Sequence, residues 1–176
     1  TYKKLKRVSD SSIYDLASLT KILATLPLVI QEVSLGKMDL QTKIGELLPK
    51  WKKSNKANIS VKEMLSHYGR LKPWIPFYKE TIDKKNNPRR KFYNSKYSKS
   101  HSLRVTDNLF LKNKHERNIL SQIKESELID VSKIENYEWR NNYSDLSYYI
   151  LKEYLETRYD NSLDKLVKTK IYKPLN

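Results

Sequence analysis

Residues 13–25 read Ile13-Tyr14-Asp15-Leu16-Ala17-Ser18-Leu19-Thr20-Lys21-Ile22-Leu23-Ala24-Thr25. Within them, Ser18-Leu19-Thr20-Lys21 sets a hydroxyl and an amine three positions apart at the head of an apolar run. On a helix that spacing puts both on one face, about one turn apart. An amine beside a hydroxyl is what a serine nucleophile needs where no histidine serves as its base. The helix N-terminus adds a positive field and unbonded backbone N–H groups. Four residues of this form recur by chance in any lysine-rich chain, so the surroundings decide the reading.

The surroundings are helical. From Ser18 to about Ser34, Leu19, Ile22, Leu23, Leu26, Val29, Ile30 and Val33 form a wide apolar face at helical spacing. Pro27 removes one backbone donor inside this helix and predicts a kink. Gly36 is placed to follow its C-terminus. Ile44 to Leu48 reads as a short helix ended by Pro49. Ser60-Val61-Lys62-Glu63 is a capping box opening a helix to about His67. A basic stretch over 69–106, punctuated by Pro73, Pro76 and Pro88, reads as an irregular insertion. Three further helices are expected. Asn113–Glu127 turns Ile119, Leu120 and Ile123 inward. Asp145–Tyr159 turns Leu146, Tyr149, Ile150 and Tyr154 to one face. Leu163–Ile171 is the last. Residues 1–8 read as the end of a strand or hairpin. The fold class is therefore mainly α.

The order of these elements resembles the serine β-lactamase and penicillin-binding-protein superfamily, in the branch of class C β-lactamases, D-alanyl-D-alanine carboxypeptidases and related esterases. After the Ser18 helix come Leu35-Gly36-Lys37-Met38-Asp39-Leu40, then Ile44-Gly45-Glu46-Leu47-Leu48-Pro49, then Ile59-Ser60-Val61-Lys62-Glu63-Met64-Leu65-Ser66-His67. The second catalytic corner of that branch, Tyr-x-Asn, corresponds to Tyr143-Ser144-Asp145, with aspartate replacing asparagine. The match runs from about Tyr2 to Leu175. His67-Tyr68-Gly69-Arg70-Leu71-Lys72-Pro73-Trp74 is similar to a subgroup fused behind family-3 glycoside hydrolases in Bacteroidetes. A third element, Lys-Thr-Gly or His-x-Gly on a core strand, is not found. Lys168-Thr169-Lys170 lacks the glycine and sits in a helical context. The resemblance thus implies residues 1–176 as a partial domain, the helical lobe of an α/β fold whose antiparallel sheet is largely missing. It also implies a chain inactive on its own, in a bacterial periplasm or envelope.

The resemblance also implies roles. Ser18 would form an acyl-enzyme on an amide or ester, with its own N–H as half of an oxyanion hole. The substrate would be a peptidoglycan peptide, a β-lactam or a small ester. Lys21, with an ordinary pKa near 10.4, would act as base only if burial lowered it. Tyr143 would shuttle the proton, although the chain holds 13 tyrosines and a core role competes. Asp145 would orient Lys21 or bind the acyl side chain, or else cap the helix that follows. Trp74 and Tyr78 are candidate cleft residues.

Composition sets the remaining bounds. At 176 residues the chain can bury a core. It has no cysteine, so disulfides and thiolate metal sites are excluded. His67, His101 and His115 lack metal-ligand spacing, and neither metal nor cofactor is expected. No apolar run reaches the roughly 18 residues of a membrane span, and no apolar core follows Thr1-Tyr2-Lys3-Lys4 as in a signal peptide. The net charge of +15 raises a second reading, an inert basic helical module that binds nucleic acid or an anionic envelope surface. Lys84 to Lys99 interleaves basic residues with Phe92, Tyr93 and Tyr97. Lysine excess pervades the whole chain, so the stretch is read as a solvated insertion with no nucleic-acid partner.

Overall fold

The computed structural model describes residues 7–113 and 115–175, with only the backbone described at 116 and 117. Most of the strand expected over 1–8 lies outside these residues, and residues 7 and 8 are not in a strand. The chain is predominantly helical. After a π-helical turn at Lys21–Thr25 come α1 (Leu26–Ser34), α2 (Ile44–Leu47), α3 (Val61–Leu65), α4 (His115–Glu125), α5 (Leu146–Tyr159), α6 (Leu163–Val167) and α7 (Lys173–Leu175). A second π-helical turn, Lys168–Tyr172, links the last two. It contains Lys168-Thr169-Lys170, consistent with the helical context read from the sequence.

The stretch 69–106 is not wholly irregular. It contributes β1 (Tyr93–Asn94) and β2 (Leu103–Thr106), which flank β3 (Leu109–Leu111) in an antiparallel sheet ordered β1-β3-β2. Alternating apolar residues in Leu103-Arg104-Val105-Thr106 and the run Leu109-Phe110-Leu111 carry the strand signal, joined by a tight Asp107-Asn108 connection.

Pro27 acts differently from the expected kink. It has no N–H to offer the carbonyl one turn earlier, at Leu23. Upstream of it, Leu26 N–H bonds to Lys21 O, which widens the turn to π geometry. The Leu23 carbonyl instead accepts the Tyr172 hydroxyl at 2.7 Å. The buried stripe of the helix is Thr25, Leu28, Val29 and Glu32, again at helical spacing. Leu19, Ile22, Leu23 and Ile30, expected to face inward, are exposed. The helix is apolar on two sides, so one apolar stripe alone could not say which side meets the core. Gly36, with φ +65°, closes α1: its N–H reaches Val33 O and Lys37 N–H reaches Glu32 O, a Schellman pairing.

At the centre lies α5, with Leu146, Ile150, Leu151 and Leu155 at 1 % exposure or less against Leu28, Ile44, Val61 and Met64. Tyr154 is buried as expected. Tyr149 is not, and turns out of the core. Trp51 is a core residue. The capping box of α3 forms on both sides, with Glu63 N–H to Ser60 Oγ at 3.2 Å and Ser60 N–H to Glu63 Oε2 at 2.8 Å. Ser60→Ala should destabilise the chain by about 1 kcal/mol, lowering the thermal midpoint by about 2–4 °C. Calorimetric unfolding measures this.

Candidate active site

Ser18 stands in the turn before the first helical residue. Asp15 Oδ1 accepts the Ala17 N–H at 2.8 Å, and Ala17 takes φ +43°, a left-handed conformation unfavourable for alanine. The Ser18 N–H makes no hydrogen bond among the described residues. Leu19 and Thr20 N–H groups close back on Leu16 and Ala17. The turn thus lifts an exposed hydroxyl and a free backbone donor side by side at a helix start. Lys21 follows one turn later, its Nζ 3.1 Å from Ser18 Oγ.

The partner of this turn arrives from far along the chain. Residues 141–145 lie across residues 66–73. Asn141 Nδ2 donates to Ser66 O, Asn142 N to His67 O, Asn142 Nδ2 to Leu71 O, Ser144 Oγ to Lys72 O and Asp145 N to Pro73 O, all within 2.9 Å. Ser144 Oγ also accepts the Leu146 N–H at 3.1 Å, so Ser144 caps α5. Asp145, at the N-cap position, makes no side-chain cap and its carboxylate is left for Lys21. Oδ1 accepts from Lys21 Nζ at 2.6 Å. The Tyr143 hydroxyl donates to Ser18 Oγ at 2.9 Å. The Lys21 ammonium lies 5.1 Å and 5.7 Å from the ring centres of Tyr143 and Tyr148.

Burial alone would lower the Lys21 pKa. The hydrogen bonds and charges of Asp145 and Tyr143 outweigh it and hold the ammonium above the ordinary lysine value. The expectation of Lys21 as a burial-lowered base is therefore corrected: its close carboxylate neighbour keeps it protonated. Tyr143 moves the other way. Its contact with the Lys21 ammonium, then that with Ser18, stabilises the phenolate and lowers its pKa. The pair thus favours a charged Lys21 beside a Tyr143 whose phenolate is stabilised.

His67 joins the site without having been read as functional. It ends α3 in a left-handed conformation, φ +62°. Its ring lies against Tyr143 at 4.6 Å between centres, and its Nδ1 accepts the Ser144 N–H at 3.2 Å. Burial and the nearby Lys21 ammonium lower its pKa, favouring the neutral ring that this acceptor role needs. Its place at the end of the Ile59–His67 run was the available sequence signal. Trp74 and Tyr78 are half-exposed or more, and neither lines the cleft of about 390 Å³ around Ser18. That cleft is bordered by Ala17, Thr20, Lys21, Asp145, Tyr148, Tyr149 and Lys152, among others. Among the described residues no group of His, Cys, Asp or Glu is arranged to hold a metal ion.

A family model described as Beta-lactamase matches residues 2–176. The chain belongs to the β-lactamase family. Comparisons with curated proteins and with solved structures returned no match. Membership places the chain among serine hydrolases in the general sense and implies small-molecule substrates. No described helix is long and apolar enough to cross a membrane.

Asp145 raises the pKa of both Lys21 and Tyr143 through its charge. Asp145→Asn removes that charge. Where activity needs a deprotonated Tyr143 and a protonated Lys21, both limbs of the pH profile of kcat/KM should move to lower pH. A limb moving upward would contradict this charge assignment.

Proposed function

We propose that this chain carries the catalytic groups of a serine hydrolase that transfers an acyl group from an amide or ester to water through a Ser18 acyl-enzyme. The observation that supports it is the convergence on Ser18 Oγ of Lys21 Nζ at 3.1 Å and the Tyr143 hydroxyl at 2.9 Å. In the phenolate form, Tyr143 takes the Ser18 proton as Oγ bonds to the acyl carbon. The carbonyl oxygen gains negative charge beside the Ser18 N–H. Collapse breaks the bond to the leaving amine or alkoxide, and Tyr143 returns the proton to it. Water then repeats the sequence on the acyl-enzyme, with Tyr143 again the proton acceptor and Ser18 the leaving group. Lys21, held by Asp145, stays an ammonium and stabilises the phenolate at each stage.

Peptidoglycan peptides, β-lactams and small esters are the substrate classes, and a cell-envelope or periplasmic setting suits them. A partial domain within a longer protein, with a glycoside hydrolase as fusion partner, completes the reading. The inert basic module is less well supported. Of the aromatic residues in the 84–99 stretch, Phe92 is buried and Tyr93 hydrogen-bonds Thr81, leaving only Tyr97 well exposed. Two of the three rings that would stack on bases anchor the segment instead.

In the protein carrying this chain, Ser18→Ala should abolish labelling by a fluorophosphonate or penicillin-type probe. Lys21→Ala and Tyr143→Phe should each slow acylation by at least about 10²-fold, and far less than multiplicatively together, because both serve one proton path. Labelling of Ser18→Ala at the wild-type rate would remove Ser18 from the mechanism. Neutralising Arg89, Arg90 and Lys91 should leave hydrolysis nearly unchanged. Steeply salt-dependent nucleic-acid binding, lost in the same variant, would favour the basic module.

A further inference from the structure

The cleft around Ser18 does not end at α5. Tyr149 and Lys152 border it, and the same two residues border a second cavity of about 240 Å³. The walls of that cavity come from Leu103 of β2, Leu111 of β3, and His115, Ile119 and Leu120 of α4. The small sheet and α4 therefore build, against the outer side of α5, a largely apolar chamber that shares Tyr149 and Lys152 as walls with the nucleophile's cleft. Tyr149 is the hinge of this arrangement. The helical pattern puts it with the core residues, yet it is 39 % exposed, and its ring meets Phe77 edge-on at 5.7 Å. Its position outside the core sets its ring at the wall between the two spaces.

A second observation points to an occupant. His115 is only 6 % exposed, and its Nδ1 is buried with no hydrogen-bond partner among the described residues. Its Nε2 faces Glu80 Oε1 at 3.9 Å. A buried ring nitrogen without a partner is costly, and His115 borders both this chamber and a neighbouring cavity beside Phe92 and Lys112. A chamber of this volume exceeds the roughly 150 Å³ cavity that holds a benzene ring in an engineered core.

We propose that this chamber is an acyl-chain subsite, and that the enzyme takes esters or amides whose acyl group carries an apolar tail. The proposal rests on the reading of Ser18 as nucleophile. The direction follows from the proton path. The leaving group receives its proton from Tyr143 and so departs beside that hydroxyl. The chamber lies the other way, past Asp145, at Tyr149 and Lys152, about 6 to 11 Å further along the axis of α5. A group reaching it while the carbonyl carbon meets Ser18 Oγ belongs to the acyl half of the substrate. The tail would pass between Tyr149 and the stem of Lys152, whose ammonium is held by Glu156 at 2.6 Å, and end among Leu103, Leu111 and Leu120. His115 Nδ1 at the wall would accept an O–H or N–H carried on the tail.

The test varies the acyl chain at constant leaving group. p-Nitrophenyl esters from acetate to decanoate are assayed with the protein carrying this chain, and kcat/KM should rise with acyl length by at least about ten-fold. Leu103→Trp fills the chamber from a position 44 % exposed, where the larger ring disturbs little packing. It should reduce the octanoate-to-acetate ratio of kcat/KM by at least about ten-fold. A second arm needs no turnover: octanoate should bind the Ser18→Ala variant by calorimetry and bind at least about ten-fold more weakly when Leu103→Trp is added. Octanoate binding lost on filling the chamber, with no ester hydrolysed, would sustain the subsite and remove the Ser18 reading. A flat acyl series with no octanoate binding would overturn the subsite and leave Ser18 untouched. Dependence on the alcohol chain, seen by comparing ethyl with octyl acetate, would overturn the assignment to the acyl half.

Discussion

One ion pair joins the two halves of the site. Lys21 Nζ and Asp145 Oδ1, at 2.6 Å, connect residues 124 positions apart. Lys21 belongs to the first helical turn and Asp145 to the N-cap of α5, so the contact docks the nucleophile helix onto the central helix of the core. The side chain of Lys21 is 14 % exposed and that of Asp145 42 %, which leaves the pair partly screened and its contribution to stability modest. Its consequence is positional and electrostatic. It fixes the ammonium beside Ser18 and Tyr143 and favours its charged form, which is why the proposed mechanism gives proton abstraction to the tyrosine.

The loop that delivers Tyr143 is rigid for a reason separate from that pair. Backbone and side-chain donors of residues 141–145 are spent on carbonyls and a ring nitrogen of residues 66–73. Each such bond is worth only about 1 kcal/mol, but together they leave the loop little freedom. His67 contributes twice, as acceptor for Ser144 N–H and as a surface for the Tyr143 ring. A scaffold of this kind places a phenol within hydrogen-bond distance of a hydroxyl before substrate arrives.

Much of this was legible in the residues. Ser18 and Lys21 share a helix face because spacing dictates it, and the capping box and Gly36 declared two helix ends through local chemistry. Long-range geometry was less accessible. The partner of Asp145 could be an N-cap donor or an amine, and local sequence favours neither; in the structure the carboxylate takes the amine and leaves the helix uncapped by its side chain. The facing of the first helix was misjudged because it is apolar on two sides, and periodicity gives a stripe without saying what lies opposite. The same periodicity rule turns Tyr149 inward. Its phenol sits at the border between core and cleft, where an amphipathic ring satisfies either pattern. The strands near residue 100 were missed because they are short and set among polar turns. Trp74 and Tyr78 are cleft candidates by residue type, and type alone does not place a ring in a cleft.

The widened turn at Lys21–Thr25 has a consequence for the helix as a timing device. An α-helix advances about 100° per residue, and a π turn carries one residue more than that rhythm allows. Everything ahead of the turn, Ser18 included, is therefore phased one residue apart from the Thr25, Leu28, Val29 and Glu32 stripe that seats the helix in the core. The Tyr172 hydroxyl on Leu23 O stands at that joint, so the C-terminal segment helps to hold the phase. Deleting a single residue there would yield a more regular helix with the same apolar stripe. Regularising the turn at constant length would instead swing the hydroxyl and the ammonium about 100° around the axis, away from Tyr143 and Asp145. Regularity and catalytic register are opposed in this helix, and the irregular turn is what lets one rod serve both.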